Sequence, residues 1–73
     1  MLMIDENGRV ATDSLIPELR AFAVFLGLPR EACDDKRIPH YTVTSERMRQ
    51  KAIRGGARLV SAREIEKTAT RGL

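Results

Sequence analysis

The segment from Ser14 to Pro29 constrains this chain more than any other. Leu15, Leu19, Phe22 and Leu26 recur at i, i+4, i+7 and i+11, Ile16 and Ala23 fall beside them, and Val24 and Phe25 widen the stripe. Ser14 is placed as an N-cap, and Pro17 falls inside the first turn, where its missing N–H removes no helical hydrogen bond. At the other end Gly27 suits a left-handed closing residue, Leu28 can fold back on the last turn, and Pro29 prevents continuation. The pattern predicts a helix over 15–26 whose apolar side needs a cover, and it makes the Leu and Phe residues core rather than cofactor ligands. A chain of 73 residues has little material for that cover, since a domain of this size buries only about 60% of its unfolded surface. One small domain over 1–73 is expected, with little room for a deep enzyme cleft and with a homodimer as the natural way to bury more.

The cover is expected from short strands. Met1 to Ile4 and Val10 to Thr12 flank Asn7-Gly8, a turn signal that predicts a hairpin. Asp34-Asp35-Lys36-Arg37 is a polar run expected as an exposed loop, and Ile38-Pro39-His40-Tyr41-Thr42-Val43-Thr44 reads as extended, with Pro39 marking an edge or a strand start. A second helix is expected from a Thr44 or Ser45 cap to Arg54, where Gly55-Gly56 ends it. Met48, Ala52 and Ile53 then face inward, while Arg47, Lys51 and Arg54 stack at i, i+4 and i+7 on a wholly basic side. Arg58-Leu59-Val60 makes another short strand, and Ser61-Ala62-Arg63-Glu64 is a capping box that starts a third helix, with Ile65 and Ala69 inward. Residues 69–73 are expected to fray. The order β-β-α-β-α-β-α predicts an α+β (or small α/β) two-layer domain with helices on a short sheet.

Charge is divided unevenly along this order. The net charge is +3, yet residues 1–35 hold three Arg against seven Asp and Glu, a balance of −4, and residues 36–73 hold ten Lys and Arg against three Glu, a balance of +7. Ten of the thirteen cations are Arg, which favours bidentate contact with carboxylate or phosphate. The division predicts an anion-binding C-terminal half, or two halves that attract each other. No apolar run approaches the roughly 20 residues that cross a bilayer, and Met1 to Ile4 lacks the basic start and long apolar core of a signal peptide. The expectation is a cytoplasmic protein with no membrane partner.

The chemistry-bearing residues converge in one segment. His40 and Tyr41 lead through Thr44 and Ser45 into the start of the second helix, whose N–H groups and dipole favour an anion, and Arg47, Arg49, Lys51 and Arg54 add charge. These eight residues are the candidate anion site, against the simpler alternative of an ordinary cap with a solvated basic face. His40 is the only histidine and lacks co-ligands at helical spacing, so no metal is expected. Cys33 stands alone beside two acids, which would raise its pKa, so neither a disulfide nor a thiolate nucleophile is expected. Neither a Walker A nor a G-x-G-x-x-G motif occurs, and no catalytic residue or cofactor is assigned.

Two resemblances follow from these residues. Asp13-Ser14, Glu18-Leu19-Arg20-Ala21-Phe22-Ala23, Leu26-Gly27-Leu28, His40-Tyr41-Thr42-Val43-Thr44 and Gly56-Ala57 resemble a small bacterial and phage domain-of-unknown-function family with a P-H-Y-D-[LV]-T motif. Here Arg20 replaces the family's His and Thr42 its Asp, which removes two polar groups near His40 and weakens a catalytic or metal reading. The resemblance implies phage or prophage origin and carries no activity. Thr44 to Ala52 with Gly56, Leu59-Val60-Ser61 and Glu64-Ile65 is similar to the closing helix-strand-helix of BRCT domains, which implies a non-enzymatic module that binds phosphopeptides or DNA ends.

The expected function is therefore non-enzymatic binding of an anionic partner through the basic C-terminal half, either nucleic acid, a nucleoprotein complex or an acidic protein surface. An alternative is binding or sequestration of a small phosphorylated ligand at the second helix N-terminus near His40 and Tyr41. A phosphoester-processing enzyme with His40 as acid or base is the third, and the missing partner residues disfavour it.

Overall fold

The computed structural model describes residues 1–35 and 37–71. In chain order it has strands β1 (Leu2–Ile4) and β2 (Arg9–Thr12), helix α1 (Ile16–Leu26), a 3-10 turn (Arg30–Ala32), strand β3 (Tyr41–Thr42), helix α2 (Glu46–Arg54), strand β4 (Arg58–Leu59) and helix α3 (Ala62–Thr68). The four strands form one mixed sheet in the order β3-β2-β1-β4, antiparallel except for the β1 to β4 pair. This is the expected α+β fold. No described helix is long and apolar enough to cross a membrane.

The hairpin forms where Asn7-Gly8 predicts it, but glycine alone supplies the unusual backbone. Asn7 keeps a negative φ, whereas Gly8 sits at φ 86°, and its amide donates to the Asp5 carbonyl at 3.0 Å. Gly8 also meets the segment after β3: a Cβ there would lie 2.3 Å from the Val43 carbonyl oxygen, and the Val43 amide donates to the Gly8 carbonyl at 2.9 Å. Asp5, fully buried, secures the turn from inside. Its carboxylate accepts from the amides of Asn7 and Arg9 and from Arg9 Nε at 2.8–2.9 Å.

Alternation along β1 and β2 divides the core between two faces. Ile4 and Val10 point to the side that carries α1 and α2, where Leu19, Phe22, Ala23, Leu26, Tyr41, Val43, Ala52 and Ala57 complete a buried cluster. Met3 and Ala11 point to the other side, where Ile38, Ile65 and Ala69 cover them. The two-layer expectation thus holds for α1 and α2 only. Helix α3 lies on the reverse face and adds a third layer there.

Helix α1 begins one residue later than expected. Leu15, not Ser14, is the N-cap, with no side-chain cap bond, and the Ser14 amide donates to Thr12 Oγ1 at 3.1 Å. Its apolar stripe is also narrower. Leu19, Phe22, Ala23 and Leu26 are buried, whereas Leu15, Val24 and Phe25 are 67%, 77% and 50% exposed. The C-terminus closes as expected: Gly27 lies at φ 81°, and the Gly27 and Leu28 amides donate to Val24 and Ala23 carbonyls. Ser45 and Ser61 cap α2 and α3 by accepting from the Met48 and Glu64 amides at 3.1 Å.

Ala69 is buried, and Thr70 is held by two bonds, its amide to the Thr12 carbonyl at 2.7 Å and its hydroxyl to the Ser14 carbonyl at 2.6 Å. Gly72 and Leu73, with Lys36 of the polar loop, lie outside the described residues.

Candidate functional site

The eight candidate anion ligands do not form one site, because the sheet and α2 send them in different directions. His40 immediately precedes β3, in an extended bridge with Asp34, so it and Tyr41 face opposite sides. Tyr41 is 2% exposed within the α1/α2 cluster. Burial pushes its phenol pKa up, and the adjacent Cys33 side chain adds to the rise. His40 instead shares a recess on the α3 side with Arg9, Asp34, Arg37 and Glu66. Its Nδ1–H donates to the Ile38 carbonyl at 2.6 Å, and its backbone exchanges two bonds of 2.9 Å with Asp34. Thr44 and Ser45 are exposed, and the Ser45 hydroxyl is committed to capping. Arg49 is structural: its guanidinium donates to the Asp5 and Glu6 carbonyls at 3.1 and 3.3 Å and ties α2 to the hairpin turn.

What remains together is the basic stripe. Arg47, Lys51 and Arg54 are exposed and line an open cleft of about 580 Å³ with Phe25 and Leu26 of α1 and Ser45, Met48 and Gly55 of α2. None of these three cations is within ion-pair distance of a carboxylate among the described residues. Phe25 is the aromatic residue of the cleft lining. Its ring packs on Phe22 with centroids 5.6 Å apart, and Lys51 Nζ stands 5.1 Å from its centroid. Gly55 makes this position possible, since a Cβ there would lie 2.5 Å from Phe25 Cε2. Sequence reasoning takes Phe25 as core because it adjoins the apolar stripe. The available signal is its place one step outside the repeat of positions 19, 22, 23 and 26.

One ion pair across the two halves runs from Arg9 of the acidic half to Glu66 of the basic one at 2.8 Å. Arg37 pairs with the same carboxylate. Glu66 is held below the usual carboxylate range, first by its hydrogen bond from Arg9 and then by the charge of Arg37. This network was not legible from spacing, because 57 residues separate Arg9 from Glu66.

Residues 8–72 match a family described as protein of unknown function (DUF4031). No curated protein and no solved structure matches the chain.

Proposed function

The chain belongs to the DUF4031 family, and from that premise we propose that it is a non-enzymatic binding protein for single-stranded nucleic acid, which it holds in the cleft between α1 and α2. The observation that carries this reading is the half-exposed Phe25 ring, with Lys51 Nζ over it, in one cleft with Arg47 and Arg54, three cations with no carboxylate partner among the described residues. A cationic groove alone attracts any polyanion, whereas an accessible aromatic ring adds a platform for one unstacked base. A base seated on Phe25 would take the position over the ring that Lys51 Nζ now occupies. Lys51, Arg47 and Arg54 would then meet the flanking phosphates. A duplex keeps its bases stacked and offers the ring nothing. Recognition by backbone charge and one stack is largely sequence-independent.

The small phosphorylated ligand near His40 and Tyr41 has less support, since those side chains face opposite sides of the sheet and the Ser45 hydroxyl already caps α2. Fluorescence anisotropy with labelled single-stranded and duplex oligonucleotides tests the proposal. Single strands should bind more tightly than duplex, with a salt slope near roughly −2 for three phosphate contacts. Phe25→Ala should weaken binding by about tenfold, given about 1–3 kcal/mol per stacked base. Combined Arg47→Glu, Lys51→Glu and Arg54→Glu should abolish it. Equal affinity for duplex, or a Phe25→Ala variant that binds like wild type, would replace this reading with an acidic protein surface docked on the stripe.

A further inference from the structure

We propose that a recess on the opposite flank of α1 is a separate site for a small organic anion, a phosphate or carboxylate group carried on a short apolar body. The recess has a volume of about 280 Å³ and is lined by Arg20, Ala23, Val24, Leu28, Arg30 and Tyr41. Three elements meet there: α1 supplies Arg20 and Val24 one turn apart, the 3-10 turn supplies Arg30, and β3 supplies Tyr41. Leu28 is present because the left-handed Gly27 turns the chain back onto α1.

The two arginines suit an anion. Arg20 and Arg30 are exposed, and neither pairs with a carboxylate among the described residues. Two guanidiniums that line one recess repel each other, and an anion between them removes that repulsion. Tyr41 lines the recess as a ring that is 2% exposed, with its hydroxyl hydrogen-bonded to the Cys33 side chain. The other walls, Ala23, Val24 and Leu28, are apolar, and Val24 is 77% exposed at the rim. They favour a ligand with a hydrophobic body over a bare ion.

This site is independent of the Phe25 cleft, which lies on the other flank of the same helix and shares no lining residue with it. Titration calorimetry of the full chain with phenyl phosphate, benzoate and inorganic phosphate tests it. Saturable one-to-one binding is expected, tighter for phenyl phosphate or benzoate than for inorganic phosphate, and the stronger of the two organic probes identifies the charged group. Arg20→Gln and Arg30→Gln should each weaken binding by about tenfold, the loss of a charged hydrogen bond, with melting curves like that of wild type because both side chains are exposed. Phe25→Ala should leave binding unchanged. The assignment is overturned if no probe gives heat, if inorganic phosphate binds as tightly as the organic probes, or if the arginine variants bind like wild type.

Discussion

The two faces of the sheet are built from the same two central strands yet are held in different ways. On the α1/α2 side, Leu2, Ile4 and Val10 meet two helices, and the interior is a continuous apolar cluster that includes Phe22 and Tyr41. On the α3 side, Met3 and Ala11 meet one seven-residue helix through Ile65 and Ala69. Directional bonds make up for the smaller buried area there. Arg9 reaches Asp5, Glu66 and the Ala62 carbonyl, the Glu6 carboxylate accepts from the Ala62 amide at 2.7 Å, and the Thr68 hydroxyl bonds to the Glu64 carbonyl and to Met3 Sδ. Burial is insensitive to charge state, whereas ion pairs respond to pH and salt. The α1/α2 side is therefore the permanent half of the fold, and α3 is attached to it by bonds that solution conditions can weaken.

The largest effect that would test this contrast comes from the apolar face. Phe22 is buried and stacked on Phe25, so Phe22→Ala removes a large side chain from the centre of the cluster. It should cost about 3–5 kcal/mol, most of the stability expected of a domain this small. Urea or thermal unfolding measures it, and the loss should be the same at low and high salt. A loss below about 1 kcal/mol would mean that α1 is not seated on the sheet through this stripe. Asp5→Ala comes next. It strands two amides and Arg9 Nε inside the hairpin turn and should cost about 3 kcal/mol. Because Arg9 also holds α3, hydrogen exchange in Ala62–Thr68 should accelerate more than in α1. Equal acceleration in both helices would erase the distinction between the faces.

The same contrast explains what could be read from the sequence. Periodicity, glycines and capping residues act over a few positions, and they located the hairpin, α1, α2, β4 and α3 within about a residue, down to Ser45, Ser61 and Gly27 as caps. The direction in which consecutive strand residues point is also local, and it already separates His40 from Tyr41. Which face α3 covers depends on how β4 joins β1, and the Arg9 to Glu66 pair depends on that in turn. Neither leaves a trace at short range. The basic stripe was legible because Arg47, Lys51 and Arg54 lie on one helix. Its companion Phe25 was not, because the apolar stripe of α1 proved narrower than its composition suggested.

The smallest expected effect sharpens the comparison most directly, because it should act on one face only. Glu66 has its pKa lowered in the folded protein, chiefly by the hydrogen bond from Arg9. A carboxylate whose folded pKa lies below its unfolded value of about 4.3 stabilises the fold fully above the unfolded pKa, and this contribution disappears as pH falls through the folded pKa. Arg9 stays protonated throughout, its own pKa being raised by the same partner. The difference in melting temperature between wild type and Glu66→Gln should therefore be constant near neutrality and close as pH drops below about 4. Moderate salt should narrow it as well, since the Arg9 and Arg37 partners are partly exposed. In contrast, the effect of Phe22→Ala should not change across the same pH range. A Glu66→Gln difference that persists unchanged in acid would show that this residue acts through packing, and that α3 is held by burial like the helices on the other face.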